Sequence, residues 1–515
     1  MLSTKSTAAA LLSLLMFDGV QGQARVNHTH KLSGFAPCDA LITANLSHAV
    51  HLPSSPFYSS LVLGSWTLDT QRSPWCFVVP STPAEVSQTL TALRSAGDGA
   101  GDWHIAIRSG GHGSDNANSI EQGVIIDLSH LNATTYDAAT NVASVGTGAR
   151  WGDVYAELEK SGVSVTGGRE GAVGVGGLLL GGGVSWHTAR TGFACDNVVN
   201  YEVVLASGLI INANATDHSD LFRALKGGGS NFGIVTRFDL AAFPATNLTI
   251  ERRTIGVEHA DEVVDAVVAF TDLDQSFKDN AMLAIMTYDP RAEGITITVT
   301  EVNTMNNANS TAFDAFSQFP TLAPATKDSL TLSQSANSSQ LPGNTRNVGA
   351  GPLTIANDPR VMRYCIEQHT SLVEDLKTTL GLQNFSIILD FQPLPSYFAD
   401  IGVRKGGNML GLERNLRNKV LVVPGVTLQT SNSESQYPGV YQQVAAMAQR
   451  IQAFAKSVGS SEDFTYLNYA DTTQDPLGSY GAANVKHIRK VANKYDPYSF
   501  FQRRVPGGFK IDRVV

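Results

Sequence analysis

Cysteine is scarce: four stand among 515 residues, at Cys38, Cys76, Cys195 and Cys365. None falls into a zinc-type spacing with histidine, and His28 and His30 lie far from the scattered remainder, so no metal site is expected. Charge is thin as well. Asp, Glu, Lys and Arg make up 16% of the chain and the net charge is −9, which leaves no basic stripe for a nucleic acid. No apolar run reaches the roughly eighteen residues of a membrane span. Two familiar phosphate signatures are also missing. No Lys-Ser/Thr closes a glycine loop, and no window satisfies Gly-x-Gly-x-x-Gly; Gly174-Val175-Gly176 fails because Leu179 takes the third place. Zinc chemistry, nucleic-acid binding, membrane spanning, P-loop hydrolysis and a Rossmann dinucleotide site are thereby set aside.

What the chain does have is glycine, concentrated. Nine of the seventeen residues from Gly167 to Gly183 are glycine. Each glycine costs about 0.5–1 kcal/mol inside a helix or strand relative to alanine, so this tract predicts a backbone that approaches a large ligand closely. Successive N–H groups in such loops form an anion-binding nest, which suits a pyrophosphate. Upstream, Arg108-Ser109-Gly110-Gly111-His112-Gly113 ends the apolar run Ile105-Ala106-Ile107 and sets one histidine among glycines.

The length predicts two domains. Lys5 followed by the apolar stretch Ala8–Met16 and by Val20-Gln21-Gly22 reads as a signal peptide over residues 1–22. Eight Asn-x-Ser/Thr sequons (Asn27, Asn45, Asn132, Asn214, Asn247, Asn309, Asn337, Asn384) agree with a secreted glycoprotein. In an oxidising compartment Cys38 and Cys76 can pair, while Cys195 reads as a small buried hydrophobe. Short apolar runs alternate with helical spacing up to about Pro244, predicting a mixed α+β block. Val86, Leu90 and Leu93 share one helix face behind a Thr82 cap. Residues 246–460 are expected to form a second domain on an antiparallel sheet, with a helix over Pro359–Leu380, strands at Ile387–Leu389 and Val420–Val423, and a loop-heavy stretch over 303–357. The aromatic segment from Phe464 to Ile511 should dock and not hang free. A monomer is expected.

The ordered motifs carry a resemblance. Arg-Ser-Gly-Gly-His, Val173-Gly-Val-Gly-Gly177, Cys195-Asp-Asn-Val, Lys226-Gly-Gly-Gly-Ser-Asn-Phe-Gly-Ile-Val-Thr236, Tyr466-Leu-Asn-Tyr-Ala-Asp471 with Tyr480-Gly481 and Asn484, and Lys494-Tyr-Asp-Pro497 follow in the order of the FAD-linked oxidases of the berberine bridge enzyme type, in the vanillyl-alcohol oxidase superfamily. The match covers about residues 36–244 and 464–511. It implies an α+β fold: a two-part FAD-binding domain of the PCMH type (23–245, completed by 461–515) and a substrate domain (246–460) with an antiparallel sheet flanked by helices.

The same resemblance implies FAD bonded at its 8α carbon to His112. Arg108, Ser109, Gly110, Gly111, Gly113, Ser114, Val173, Gly174, Gly177, Val235, Tyr480 and Asn484 are the expected cofactor contacts. Doubly linked relatives carry a cysteine three residues before Val173; here that position is Glu170, so a single link is expected. A valine at 173 accompanies oxidase behaviour in the family. The Asn-Tyr-x-Asp motif selects Tyr469 as catalytic base, with Asp390 its expected charged partner and Glu413 a weaker alternative. A phenol ordinarily ionises near 10 and needs such a neighbour to act as a base. The function implied is a secreted oxidase passing two electrons from a small organic substrate to O2. A carbohydrate oxidase, a flavin dehydrogenase and a flavin-bearing binding protein are the alternatives.

Overall fold

The computed structural model describes residues 32–97, 101–113, 117–292, 294–341, 343–429 and 433–514. The expected signal peptide and Ser114 lie outside the described residues.

Three sheets are built in sequence. The first has four strands in the order Val50–His51, Cys76–Val78, Val124–Asp127, Ile105–Arg108, the last three mutually parallel. Parallel strands require crossovers, and the helix Pro83–Ala96 supplies one. Its predicted cap is present: the Thr82 side chain accepts from the Glu85 amide. Val86, Leu90 and Leu93 bury against the sheet together with Cys38 and Cys76, which form a disulfide. The second sheet is antiparallel and centred on the long strand Ile234–Pro244, which pairs with Val142–Gly146, Val163–Val165 and Val198–Val204.

The third sheet begins four residues after Pro244. Its path is Thr326–Leu330, Leu248–Gly256, Ile295–Asn303, Asn280–Tyr288, Phe385–Leu394, Lys419–Leu428 and Arg346–Val348, with Leu353–Ala356 beside Lys419–Leu428, and every pairing is antiparallel. Alternation assigns its two faces. Phe385, Ile387, Leu389 and Phe391 bury under the helices Ala260–Thr271, Pro359–Leu380 and Ser433–Ser457. Asp390 and Gln392, one residue out of phase, point the other way, where Val302, Leu394 and Leu421 join the core of the second sheet.

Within the polar stretch 303–357, expected to be loop-heavy, three short strands and the helix Leu332–Ser338 form. The strand Thr326–Leu330 is a mostly exposed edge, so it needs no apolar alternation to pair. The C-terminal segment docks as expected. Phe500, Phe501 and Val505 enter the first core, and Ile488, Val491 and Ile511 the second. Among the described residues no helix is long and apolar enough to cross a membrane.

Candidate active site

The strand Ile105–Arg108 delivers its glycine loop against the second glycine tract. A Cβ on Gly110 would stand 2.5 Å from the Gly174 Cα, and one on Gly174 would stand 2.4 Å from the Gly110 nitrogen. Only glycines let these two backbones cross. Gly111 has φ +68°, while Gly177 faces open space. Ser109 staples the crossing: its hydroxyl donates to the Thr147 carbonyl at 2.6 Å and accepts from the Gly176 amide at 3.2 Å. Arg108, expected among the cofactor contacts, is otherwise engaged. Its buried guanidinium pairs with Asp127 and donates to Ser65, so it holds the loop from behind.

Val173 is half-buried on the second core. Val235 is buried in the long central strand opposite Val203. Asn484 spends its amide on the Met409 and Tyr480 carbonyls. Tyr480 is fully buried beside Phe464, its hydroxyl without a partner. The hydrogen bonds of Asn484 thus run to its own neighbourhood and not to the glycine crossing. The Gly113 carbonyl accepts from Asn118, whose own Oδ1, like the Ser119 hydroxyl, is buried and unpartnered.

His112 is clamped. Its ring lies parallel to the Trp66 indole, 4.1 Å between centroids and 11° between planes. Its Nε2 is 3.2 Å from Glu170 Oε1, which also accepts from the Leu341 amide at 2.9 Å.

A polar chain runs from the C-terminal segment into the third sheet. Arg169 Nη2 donates to Tyr469 Oη at 2.8 Å and to Gln392 Oε1 at 2.9 Å. The Tyr469 hydroxyl is 3.5 Å from the same Gln392 oxygen, and Gln392 Nε2 donates to Asp390 Oδ2 at 2.6 Å. Asp390 is expected at the end of the strand Ile387–Leu389, as a charged partner for Tyr469. In the structure it is mid-strand and buried, with Oδ1 unpartnered and Gln392 standing between the two. Burial pushes its carboxyl up to about 6, against the downward pull of Arg169 and Gln392. Glu413 is exposed on a short turn away from this chain.

Tyr466 packs edge-on against Tyr469, and its hydroxyl accepts from the Gly183 and Val184 amides. Arg169 also lies over the Trp186 ring at 5.2 Å. A cavity of about 40 Å³ adjoins the cluster, lined by Arg169, Trp186, Gln392, Phe277 and Tyr397. A larger cleft of about 300 Å³ opens elsewhere on the third sheet, but its Glu251, Arg253, Glu301 and Lys327 pair with one another. Sequence reasoning missed Arg169 and Gln392, although Arg169 sits between Gly168 and Glu170 in the tract that drew attention.

An FAD binding domain model matches residues 74–214. The chain is 34% identical over 481 residues to an FAD-dependent monooxygenase, sdcF, of Emericella nidulans, covering 93% of this chain and 98% of that protein. It is 35% identical to another, drtC, of Aspergillus calidoustus, over 87% of this chain and 85% of that one. Solved structures share the fold. Berberine bridge enzyme from Eschscholzia californica superposes with a TM-score of 0.70 at 18% identity, covering 90% of this chain and 97% of that one. For 6-hydroxy-D-nicotine oxidase from Arthrobacter nicotinovorans the TM-score is 0.68 at 20% identity, over 88% and 96%. The fold and the matched domain define an FAD-dependent oxidoreductase. The chain belongs to the family of FAD-dependent enzymes that includes sdcF and drtC, and it has the fold of berberine bridge enzyme.

The residues present fit the cofactor. Gly177 opens to space, and unpartnered buried oxygens stand at Asn118 and Ser119, just beyond the His112 loop.

Proposed function

We propose that the protein is a secreted oxidase that removes two electrons from a small organic substrate, an alcohol, an amine or a secondary-metabolite intermediate, with O2 as acceptor and FAD tethered once, at His112. The observation that carries this reading is the Tyr469–Arg169–Gln392–Asp390 chain, set beside a cavity, with Arg169 next in sequence to the Glu170 that meets His112. Bound FAD would supply the two-electron acceptor and hand the pair on to dioxygen.

The substrate's O–H or N–H proton must leave as its electrons do. Tyr469, partly exposed where Asp390 and Gln392 are buried, takes that proton, with the Arg169 guanidinium facing the oxygen on which charge develops. Asp390 is too buried to touch substrate and acts through Gln392. When ionised it can only accept, which fixes the amide with Nε2 toward Asp390 and Oε1 toward Arg169 and Tyr469. When protonated it can donate to the amide oxygen, and the flipped amide would then turn its N–H groups on Arg169. The half-buried Val173 supports the oxidase reading through the family pattern. The Cys38–Cys76 disulfide, the leader and the sequons support the secretory pathway.

The names of the relatives favour a second reading, insertion of one oxygen atom into the substrate. A substrate panel run without oxygen, followed by admission of 18O2, decides. One hydrogen peroxide per oxidised substrate and no label in the product supports the oxidase. Label in the product, or reoxidation over hours in air, overturns it. Sequencing the N-terminus of protein from the medium tests secretion, which fails if the chain stays inside the cell with residues 1–22 intact.

A further inference from the structure

We propose that Glu170 is a positioning residue for the attachment of FAD at His112, holding the imidazole in the tautomer and plane from which the bond can form. The inference rests on the tethered-flavin reading above and goes beyond it by assigning a role to the residue that stands where a second tether would be.

A neutral imidazole carries one hydrogen on two nitrogens, and only the bare nitrogen can act as a nucleophile. Nothing in the sequence chooses between them. The structure does: a carboxylate can only accept, so the Glu170 oxygen 3.2 Å from Nε2 keeps the hydrogen there and leaves the lone pair on Nδ1. The carboxylate is itself fixed, because the Leu341 amide donates to the same oxygen at 2.9 Å. Trp66 removes the remaining freedom. Its indole covers one face of the imidazole in parallel contact, so the ring cannot turn out of plane without losing that contact. The side chains of His112 and Glu170 are 16% and 13% exposed, so water screens the pair far less than it screens a surface ion pair.

The bond formation balances with these groups and one oxidant. The Nδ1 lone pair forms the N–C bond to the 8α carbon, which gives up one proton. The ring, now cationic, sheds its Nε2 proton toward Glu170. The two electrons released remain on the flavin until dioxygen takes them with the two protons, leaving hydrogen peroxide. Glu170 therefore does two things for one step: it directs the nucleophilic nitrogen and offsets the transient positive charge.

The test compares wild type with Glu170→Gln, Glu170→Ala, Glu170→Asp and His112→Ala, each made as the full chain without flavin and then given FAD in air. Total flavin bound is read before acid precipitation, and flavin kept in the pellet is read after it, over time. The expected result is unimpaired initial FAD binding in the Glu170 variants, attachment at least tenfold slower in Gln and Ala, partial recovery in Asp, and recovery in Ala on adding acetate. His112→Ala should keep no flavin in the pellet. Wild-type attachment rates in both Gln and Ala would overturn the role of Glu170 while leaving the tether intact. A colourless wild-type pellet would overturn the tether itself. If Gln and Ala bind no FAD at all, Glu170 serves the cradle and not the attachment, and the proposal likewise falls.

Discussion

Asp390 is held with a pKa near 6 by burial, so its proton leaves within the working range of most enzymes. Two consequences follow with opposite signs. Turnover should fall as pH drops through about 6, because the protonated carboxyl no longer fixes the Gln392 amide; kcat against pH for wild type and Asp390→Asn checks this, and the limb should vanish in the variant. Stability runs the other way. Between the unfolded value of 3.8 and about 6 the folded state holds the extra proton, so stability falls as pH rises through that window, by on the order of 3 kcal/mol in all. Asp390→Asn should therefore melt higher than wild type at pH 8 while turning over more slowly, and equal or lower melting would contradict the burial argument. Tyr469→Phe should lower kcat by roughly 10²–10⁴-fold, the usual worth of a positioned proton acceptor, with FAD retention unchanged. The sequence singles out Tyr469 and His112 because their local motifs are unusual. It does not single out Arg169 and Gln392, since Arg169 meets Tyr469 and Gln392 across 300 and 223 positions, which leaves no local pattern.

At the scale of elements, the glycine crossing is the least tolerant part of the molecule. Gly174→Ala puts a methyl group 2.4 Å from a backbone nitrogen, and no side-chain rotation relieves that. The expected outcome is a folded protein with a displaced loop that purifies colourless, checked by its absorption spectrum and by FAD titration. Elements with strong local signals were read well. The helix Pro359–Leu380 was expected with those limits, and its start is fixed by the Asp358 side chain accepting from the Arg360 amide. The helix Ser433–Ser457 escaped notice because Pro438 interrupts its first turns, although Val440, Val444, Met447 and Ile451 mark its buried face at helical spacing. The short strands within 303–357 escaped because edge pairing is decided by the partner strand, which a local window does not contain.

At the scale of the whole molecule, the first core is closed both by a covalent clasp and by the C-terminal segment, whose Phe500, Phe501 and Val505 pack into it beside Cys38 and Cys76. Cys38 and Cys76 stand 38 positions apart, and closing that loop is worth about 4 kcal/mol in the chain-entropy account. A Cys38→Ala, Cys76→Ala double variant should unfold at lower urea than wild type, and an unchanged midpoint would show that the first core holds without the bond. The alternation of helix and strand up to Pro244, and the antiparallel sheet beyond it, were readable as patterns. The facing of the two across the site was not, because Arg169 and Gln392 belong to different sheets' neighbourhoods. The hydroxyl of Tyr466, which receives the Gly183 and Val184 amides, has a bearing on how the enzyme is made. Those two glycine-tract amides are translated nearly three hundred codons before the oxygen that satisfies them. During synthesis these amides wait for their acceptor, and a nascent chain halted ahead of residue 466 should emerge from the ribosome unable to keep FAD.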